Sequence, residues 1–298
     1  MITFNAINHA YPGEAEQALT DLSLEFGDST VTALVGPNGS GKTTLMQILA
    51  GLLPPSSGSV SINGTETGPN DLLGYSVMAS SDRDFDNSSA SALVAYASLR
   101  PTWDQQLFDH YAQRFGFQMK RRKTVRKMSS GQAAILTGAI ALASGAPITV
   151  LDEIQAPLDV PTRYAFYEEL LTLAADAMEG RRPRRTFLIS SHMVSELENV
   201  AEDVVALKNG RLLAHESVET FTSRICAITG NAADVERFLI DHPGLGVITS
   251  RTLGSAREIV VDLRGRGITD REIASHSLTL SPCTFQDAFA YLIQENDQ

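Results

Sequence analysis

Residues 36–44 read Gly36-Pro37-Asn38-Gly39-Ser40-Gly41-Lys42-Thr43-Thr44, between an apolar run (Val31 to Val35) and a helix-forming run (Thr44 to Leu49). Glycines at Gly36, Gly39 and Gly41 let consecutive backbone N–H groups turn inward as a nest for phosphate oxygens. The helix that follows points the positive end of its dipole at the same charge. Lys42 is placed to reach the outer phosphates as a point charge. Thr43 is placed to complete the shell of the Mg²⁺ that a triphosphate carries, with Thr44 as one more donor. The pattern G-x4-G-K-[ST], with a strand before it and a helix after, predicts a P-loop for a nucleoside triphosphate rather than a connecting turn.

Further along, the apolar run Ile148-Thr149-Val150-Leu151 ends in Asp152-Glu153. Acidic residues often mark a strand end meeting solvent. About a hundred residues after a P-loop, however, the pair reads as Asp152 for the magnesium shell and Glu153 for polarising the attacking water. Alternation along a strand predicts that the two carboxylates point to opposite sides and cannot share one task. Met128-Ser129-Ser130-Gly131-Gln132 precedes the apolar run Ala133 to Ala143, and Ser129 with Gln132 fits the S-x-x-Q capping box of an ordinary helix start. Ser190-Ser191-His192 follows another apolar strand, where a histidine by itself is a turn residue. A lone aromatic such as Tyr11 is by itself as often packed core as anything else.

These residues need elements to hold them. Strands are predicted at Phe4 to Ala6, Asp21 to Phe26, Val31 to Val35, Ser59 to Ile62, Ile148 to Leu151, Thr186 to Ser190 and Val204 to Lys208, separated by helices and glycine turns. That pattern means a layered α/β core. From about Asp82 to Ser144 helical patterning takes over, notably Trp103 to Phe115 and Ala133 to Ala143, which reads as a helical insert. After Glu216 a small α+β domain is expected: strand Ile225 to Thr229, helix Ala232 to Asp241, paired strands Val247 to Leu253 and Glu258 to Leu263, and a final helix Phe285 to Gln294.

With 298 residues and 43% hydrophobic content, the chain has room for one large domain and a smaller one. Its longest apolar stretches fall short of the ~20 residues that span a bilayer, so a membrane role needs a partner. Met1 runs into a strand-like segment without a basic-then-apolar leader, so a cytoplasmic location is expected. Cys226 and Cys283 lack metal-type spacing and read as reduced packing residues. A net charge of −11 argues against nucleic acid as a partner. Two basic islands remain, Lys120-Arg121-Arg122-Lys123 with Arg126 and Lys127, and Arg181-Arg182 with Arg184-Arg185. Solvated surface is the plain reading of both, with a specific partner site, or anionic lipid, as the alternatives.

Taken in this order, the P-loop, Met-Ser-Ser-Gly-Gln, Asp152-Glu153 and Ser190-Ser191-His192 resemble the ABC-type ATPases over roughly residues 2 to 215. The resemblance implies a P-loop NTPase cassette over residues 1–216, with the helical insert at about 82–144 and an accessory domain at 217–298. It further implies ATP and Mg²⁺, and a head-to-tail dimer of identical or related ATPase subunits. In that dimer the helix start at Ser129, Gly131 and Gln132 holds the phosphate of the opposite subunit. Tyr11 takes the place of the adenine-stacking aromatic, Leu158-Asp159 that of the loop linking the two sites, and His192 that of the γ-phosphate switch. Ala97 to Asp104 and Thr284 to Phe289 resemble bacterial cassettes of the ABC-2 export type. The expected function is an ATPase subunit driving a membrane-spanning permease, peripheral on the cytoplasmic face. The alternatives are a soluble ATP-dependent factor and a weakly hydrolysing regulatory subunit.

There are departures from the family pattern. No glutamine follows the Gly74-Tyr75 segment, where Ser80, Ser81 or Asp82 stand in its place or coupling is weaker. Ser130 replaces a glycine, Ile154 a proline and Pro157 a glycine.

Overall fold

The computed structural model describes residues 1–14, 16–81, 87–117, 124–264 and 268–295. Two compact units divide the chain, Met1–Met193 with Asn199–His215, and Val194–Glu198 with Glu216–Gln298.

The first unit runs β1 (Ile2–His9), β2 (Leu19–Phe26), β3 (Val31–Val35), α1 (Lys42–Leu49), β4 (Ser57–Ile62), β5 (Thr65–Thr67), α2 (Pro69–Tyr75) and β6 (Ser76–Ser80). It continues with α3 (Ala90–Ala97), α4 (Gln105–Arg114), α5 (Ser130–Ala143), β7 (Ile148–Asp152), α6 (Val160–Met178), β8 (Thr186–Ser190), β9 (Asp203–Lys208) and β10 (Arg211–Ser217). Strands β3, β7 and β8 are buried at every position. Continuous apolar runs of this kind belong inside a parallel sheet covered on both faces. They sit in a sheet of order β10-β9-β3-β8-β7-β6, in which β9, β3, β8, β7 and β6 pair in parallel. The order places the C-terminal ends of β3, β8 and β7 side by side, so the loops leaving Val35, Ser190 and Asp152 open on one edge. That edge is where open α/β sheets place their ligands. A smaller antiparallel sheet, β2-β1-β4-β5, closes over the same core, with Phe4 and Phe26 meeting edge to face at 5.9 Å.

Helix α5 carries almost no polar stripe, and Ala134, Leu136, Ala139 and Leu142 are among its buried residues, as befits a helix enclosed on all sides. Its buried C-terminal carbonyls have an unusual partner. Arg185 donates to the carbonyls of Ala141, Leu142 and Ala146 and to the Thr149 hydroxyl, at 2.7–3.3 Å. Desolvation pushes its guanidinium down to about 10.

The expectation of a solvated basic island at residues 181–185 is therefore corrected in part. Arg185 is 5% exposed, Arg182 bonds Asp104 at 2.9 Å, and Arg181 and Arg184 pair with Asp176 and Asp28. Arg181 and Arg184 stay largely exposed, 56% and 76%, as a solvated surface requires, so the correction falls on Arg185 and on Arg182, whose charges are engaged within the protein. The other island, 120–123, lies outside the described residues, as do Asp82 and part of the expected insert.

Strands β5 and β10 and helices α2, α3 and α6 are additional to the elements bounded from the pattern, and Trp103 precedes its helix because the Asp104 carboxylate caps it through Leu107 N–H.

The second unit consists of α7 (Val194–Leu197), α8 (Val218–Arg224), β11 (Ile225–Asn231), α9 (Ala232–Asp241), β12 (Gly246–Leu253), β13 (Ala256–Asp262), α10 (Asp270–Ser275), β14 (Thr279–Pro282) and α11 (Phe285–Glu295). Its antiparallel sheet, β12-β13-β11-β14, shares a core of Ile228, Ile259 and Val261 with Val235 and Phe238 of α9 and Ile273 of α10. Cys226 is buried, and burial raises the Cys283 thiol to about 11, so Cys283 does not act as a thiolate near neutrality. Among the described residues no helix is long and apolar enough to cross a membrane.

Candidate nucleotide site

The loop between β3 and α1 can only be built with glycine at its two ends. A Cβ on Gly36 would meet the Leu207 carbonyl oxygen at 2.5 Å, and Gly41 combines a φ of 98° with the Ala18 carbonyl oxygen 2.5 Å from where its Cβ would be. Between them, Ser40 N–H returns to Pro37 O at 3.1 Å and closes the turn. Lys42 Nζ donates to the carbonyls of Gly36 and Pro37 at 2.7 and 3.1 Å. Burial lowers its pKa, with Glu153 and Asp152 pulling the other way. Ser40 Oγ is buried and has no protein partner, a polar atom left over at the cradle.

A cleft of about 370 Å³ opens over this loop, lined by Tyr11, Asn38 to Thr44, Glu153, and the segment Glu14, Glu16, Gln17 and Ala18. Thr43 Oγ1 donates to Asp152 Oδ2 at 3.1 Å. Two hard oxygens are thereby set side by side at the phosphate end, the donor type that Mg²⁺ takes. Among the described residues no cluster of three or more His, Cys, Asp or Glu side chains forms a self-sufficient metal centre. A cation here would share its shell with the nucleotide, in keeping with how Mg²⁺ binds. Cradle, leftover hydroxyl and oxygen pair all fit a Mg-bound triphosphate.

The two carboxylates do not obey strand alternation. β7 ends at Asp152, and Glu153 leaves it with a φ of 51°, a left-handed conformation rare for a non-glycine residue and found where the chain is held for function. That turn brings the Glu153 side chain into the same cleft, where Oε2 stands 3.4 Å from His192 Nδ1. Asp152, bonded to Thr43, and Glu153, in the cleft lining, are thus both close enough to Lys42 to act on its charge.

Tyr11 reaches the cleft, but its hydroxyl is engaged with Thr44 Oγ1 at 3.1 Å and Gln47 Oε1 at 3.4 Å, and its ring meets His9 edge to face at 4.9 Å. Thr44 thereby turns its own hydroxyl towards Tyr11. Ser129, Gly131 and Gln132 do not line this cleft. They form the reciprocal cap of α5, with Gln132 N–H bonded to Ser129 Oγ at 3.1 Å and Ser129 N–H to Gln132 Oε1 at 3.3 Å. Gly131 lies against the loop after Glu153, since a Cβ there would meet Pro157 O at 2.9 Å.

Sequence reasoning missed two residues. Ser190, wholly buried, bonds Asp152 and the Glu153 N–H, and Gln155, also wholly buried, donates to Ser190 O at 2.8 Å. Ser190 stood in the Ser-Ser-His run already singled out, whereas nothing local marked Gln155. In place of the missing glutamine, Ser80 pairs with Asp152 along the sheet and Ser81 N–H donates to Asp152 O at 3.1 Å.

Sheet order, glycine cradle, lysine and carboxylate pair define a P-loop nucleotide-binding cassette. Comparison with known proteins makes that class specific: residues 19–156 match the family model described as ABC transporter. Over 224 residues, 71% of this chain, it is 30% identical to the human phospholipid-transporting ATPase ABCA7. Over 232 residues, 72% of the chain, it is 30% identical to the ATP-dependent lipid A-core flippase of Xylella fastidiosa strain Temecula1. The chain spans 10% and 37% of the lengths of those relatives. Among solved structures, an ATP-binding subunit of an ABC transporter superposes with a TM-score of 0.64 at 20% identity, covering 74% of this chain and 91% of that one. A dimeric ATP-binding cassette in a post-hydrolysis state with ADP and Pi gives 0.62 at 19% identity, covering 73% and 99%. The fold is that of an ABC-type cassette, and residues 19–156 belong to the ABC transporter family.

Proposed function

We propose that the chain is the ATP-hydrolysing subunit of an ABC transporter, acting as a pair that closes around two Mg·ATP to drive a separate membrane-spanning permease, with export as the direction that its likeness to a flippase supports. The carrying observation is the convergence of Lys42, Thr43, Asp152 and Glu153 at one end of the cleft. In this reading residues 1–216 are the cassette, with residues 82–144 as its helical insert, and residues 217–298 an accessory domain.

The chemistry is phosphoryl transfer to water, carried mainly by positioning and electrostatics. A bound magnesium ion neutralises charge on the phosphate oxygens, and Thr43 and Asp152 are the residues that would hold it. Lys42 leaves the carbonyls of Gly36 and Pro37 for the outer phosphates. Glu153 orients the attacking water, and His192, beside it, contacts the terminal phosphoryl group. The loop from Gly36 to Thr44 surrounds the phosphates, Tyr11 lies against the base, and Ser129, Gly131 and Gln132 of the opposite subunit cap the site.

For the permease, the surface offers an apolar groove of about 520 Å³ lined by Val77, Met78, Leu93, Tyr96, Leu99 and Ile140. Tyr96 and Leu99 are 79% and 76% exposed beside it, side chains that water does not favour leaving uncovered. The partner places the protein at the cytoplasmic face of the membrane.

The test is turnover of purified protein with Mg·ATP, together with sedimentation with membranes in the presence and absence of the co-expressed permease. Absence of ATP binding by the wild-type chain defeats the reading. A weakly hydrolysing regulatory subunit is the second reading, favoured by serines in place of glutamine beside Asp152. Tight ATP binding with negligible turnover, unchanged by the permease, selects it.

A further inference from the structure

We infer that Ser190 is a positioning residue for both carboxylates of the site: one buried hydroxyl aims Asp152 at Thr43 and holds Glu153 turned into the cleft. The inference rests on the proposed ATPase reading for its consequence in catalysis, but its geometry stands apart from that reading.

A serine hydroxyl has one hydrogen to donate and two lone pairs to accept with. Ser190 Oγ donates to Asp152 Oδ1 at 2.5 Å and accepts from Glu153 N–H at 3.0 Å. The first bond fixes one Asp152 oxygen and leaves the other, Oδ2, to take the Thr43 hydroxyl at 3.1 Å. The second bond satisfies the amide of a residue whose φ of 51° is otherwise unfavourable, a conformation that persists only when its surroundings hold it. Sheet pairing makes the arrangement rigid, because Ser190 is the register partner of Asp152 on one side and of Leu34, just before the P-loop, on the other.

A further tie fixes the same residue from behind. Gln155, wholly buried, donates Nε2–H to Ser190 O at 2.8 Å, while its Oε1 has no protein partner. Leaving a buried acceptor unpaired is costly. The amide is nevertheless kept where it joins the loop after Glu153 to the end of β8. His192, two residues beyond Ser190, faces Glu153 Oε2 at 3.4 Å. Ser190 and Gln155 therefore set the spacing between the carboxylate loop and the histidine loop, the two sides between which a terminal phosphoryl group would sit.

The experiment compares Ser190→Ala and Ser190→Thr with wild type in two readouts. In the first, hydrogen exchange at the Glu153 amide is followed by NMR in nucleotide-free protein. Ser190→Ala is expected to raise the exchange rate about ten- to a hundred-fold, the loss of one hydrogen bond to a charged network, and Ser190→Thr to restore protection. In the second, Mg·ATP turnover is measured against Mg²⁺ concentration. Ser190→Ala is expected to lower kcat and raise the half-saturating Mg²⁺ by about ten-fold or more, with metal-free ATP affinity unchanged and Ser190→Thr close to wild type. Wild-type kcat and Mg²⁺ dependence in Ser190→Ala overturn the inference, as does unaltered Glu153 exchange. Should the wild-type chain itself not hydrolyse ATP, the ATPase reading fails, and the amide exchange still decides whether Ser190 holds Glu153. A Ser190→Ala protein that does not fold passes the same two readouts to Gln155→Met, where wild-type exchange and Mg²⁺ dependence are the overturning result.

Discussion

His192 Nδ1 lies 3.4 Å from Oε2 of Glu153, a residue of the cleft lining, and both side chains are part-exposed, 58% and 35%. The imidazole and the carboxylate therefore stand in direct reach of one another. Glu153→Gln keeps the side-chain shape and its pairing with His192 but removes the base. Turnover should fall about 10²–10⁴-fold, the usual contribution of a general base, with ATP affinity preserved. Analytical ultracentrifugation of this variant with Mg·ATP should reveal a stable dimer, and a persistent monomer contradicts the two-subunit site.

Lys42 spans its own loop through the Gly36 and Pro37 carbonyls, so without nucleotide it already occupies the cradle that it would share with phosphate. In Lys42→Ala those carbonyls face water in the open cleft, and the fold should survive. Nucleotide affinity should drop about ten- to a hundred-fold, the loss of a hydrogen bond to a charged group. Isothermal titration with ATP checks this, and circular dichroism checks that the variant is folded.

How far the residues announced this arrangement depends on how local each feature is. The P-loop was legible in full because every group it needs is contiguous, and β3 and β8 were read to the residue because continuous apolar runs are their own signal. The orientation of Glu153 was not legible, since its left-handed turn is held by Ser190, 37 residues further along the chain. Arg185 looked like surface charge for the same reason. The carbonyls that bury it lie 39–44 residues earlier. Strand β6, with serine at both ends and only Val-Met-Ala between, owes its strand conformation to pairing with β7 rather than to its own propensity.

Gly131 leaves no room between α5 and the loop that follows Glu153, as a Cβ would come within 2.9 Å of Pro157 O. Both sides of that contact are backbone, so neither can move aside as a flexible side chain would. Gly131→Ala should displace the Ser129 cap from the 154–159 loop at a cost of about 1–3 kcal/mol. ATP binding at Lys42 should be unaffected while turnover falls, because in the proposed pair Ser129 serves the opposite subunit. Parallel thermal melts and turnover assays separate these effects, and equal turnover in the variant argues against a role for this helix start in the site.

In the second unit, α9 and α10 are cross-linked reciprocally. His242, which ends α9, bonds Glu272 of α10 through Nε2 at 2.9 Å, and His276, which ends α10, bonds Asp241 of α9 through Nε2 at 3.0 Å. The Nδ1 atoms face the Phe238 and Glu272 carbonyls at 2.8 and 3.1 Å, the Ser275 hydroxyl also lies 3.3 Å from His276 Nδ1, and Phe238 packs against both rings. A neutral imidazole carries a single N–H, so a ring between a carbonyl and a carboxylate makes both bonds only when protonated. The hydrogen bond to Asp241 raises the His276 pKa, with Arg237 opposing it, and the bond from His242 lowers that of Glu272. A raised histidine contributes stability that is complete below its ordinary value of 6.5 and lost as pH climbs through the higher folded value. A lowered carboxylate contributes stability that is present above its ordinary 4.5 and lost as pH falls through the lower folded value. Both contributions coexist between those two ordinary values. His276→Gln should therefore lower the melting temperature of the second unit most at about pH 5.5 and least at about pH 8.5. Calorimetric melts of the whole chain at the two pH values measure the difference, and an equal shift at both means that the clasp does not respond to protons.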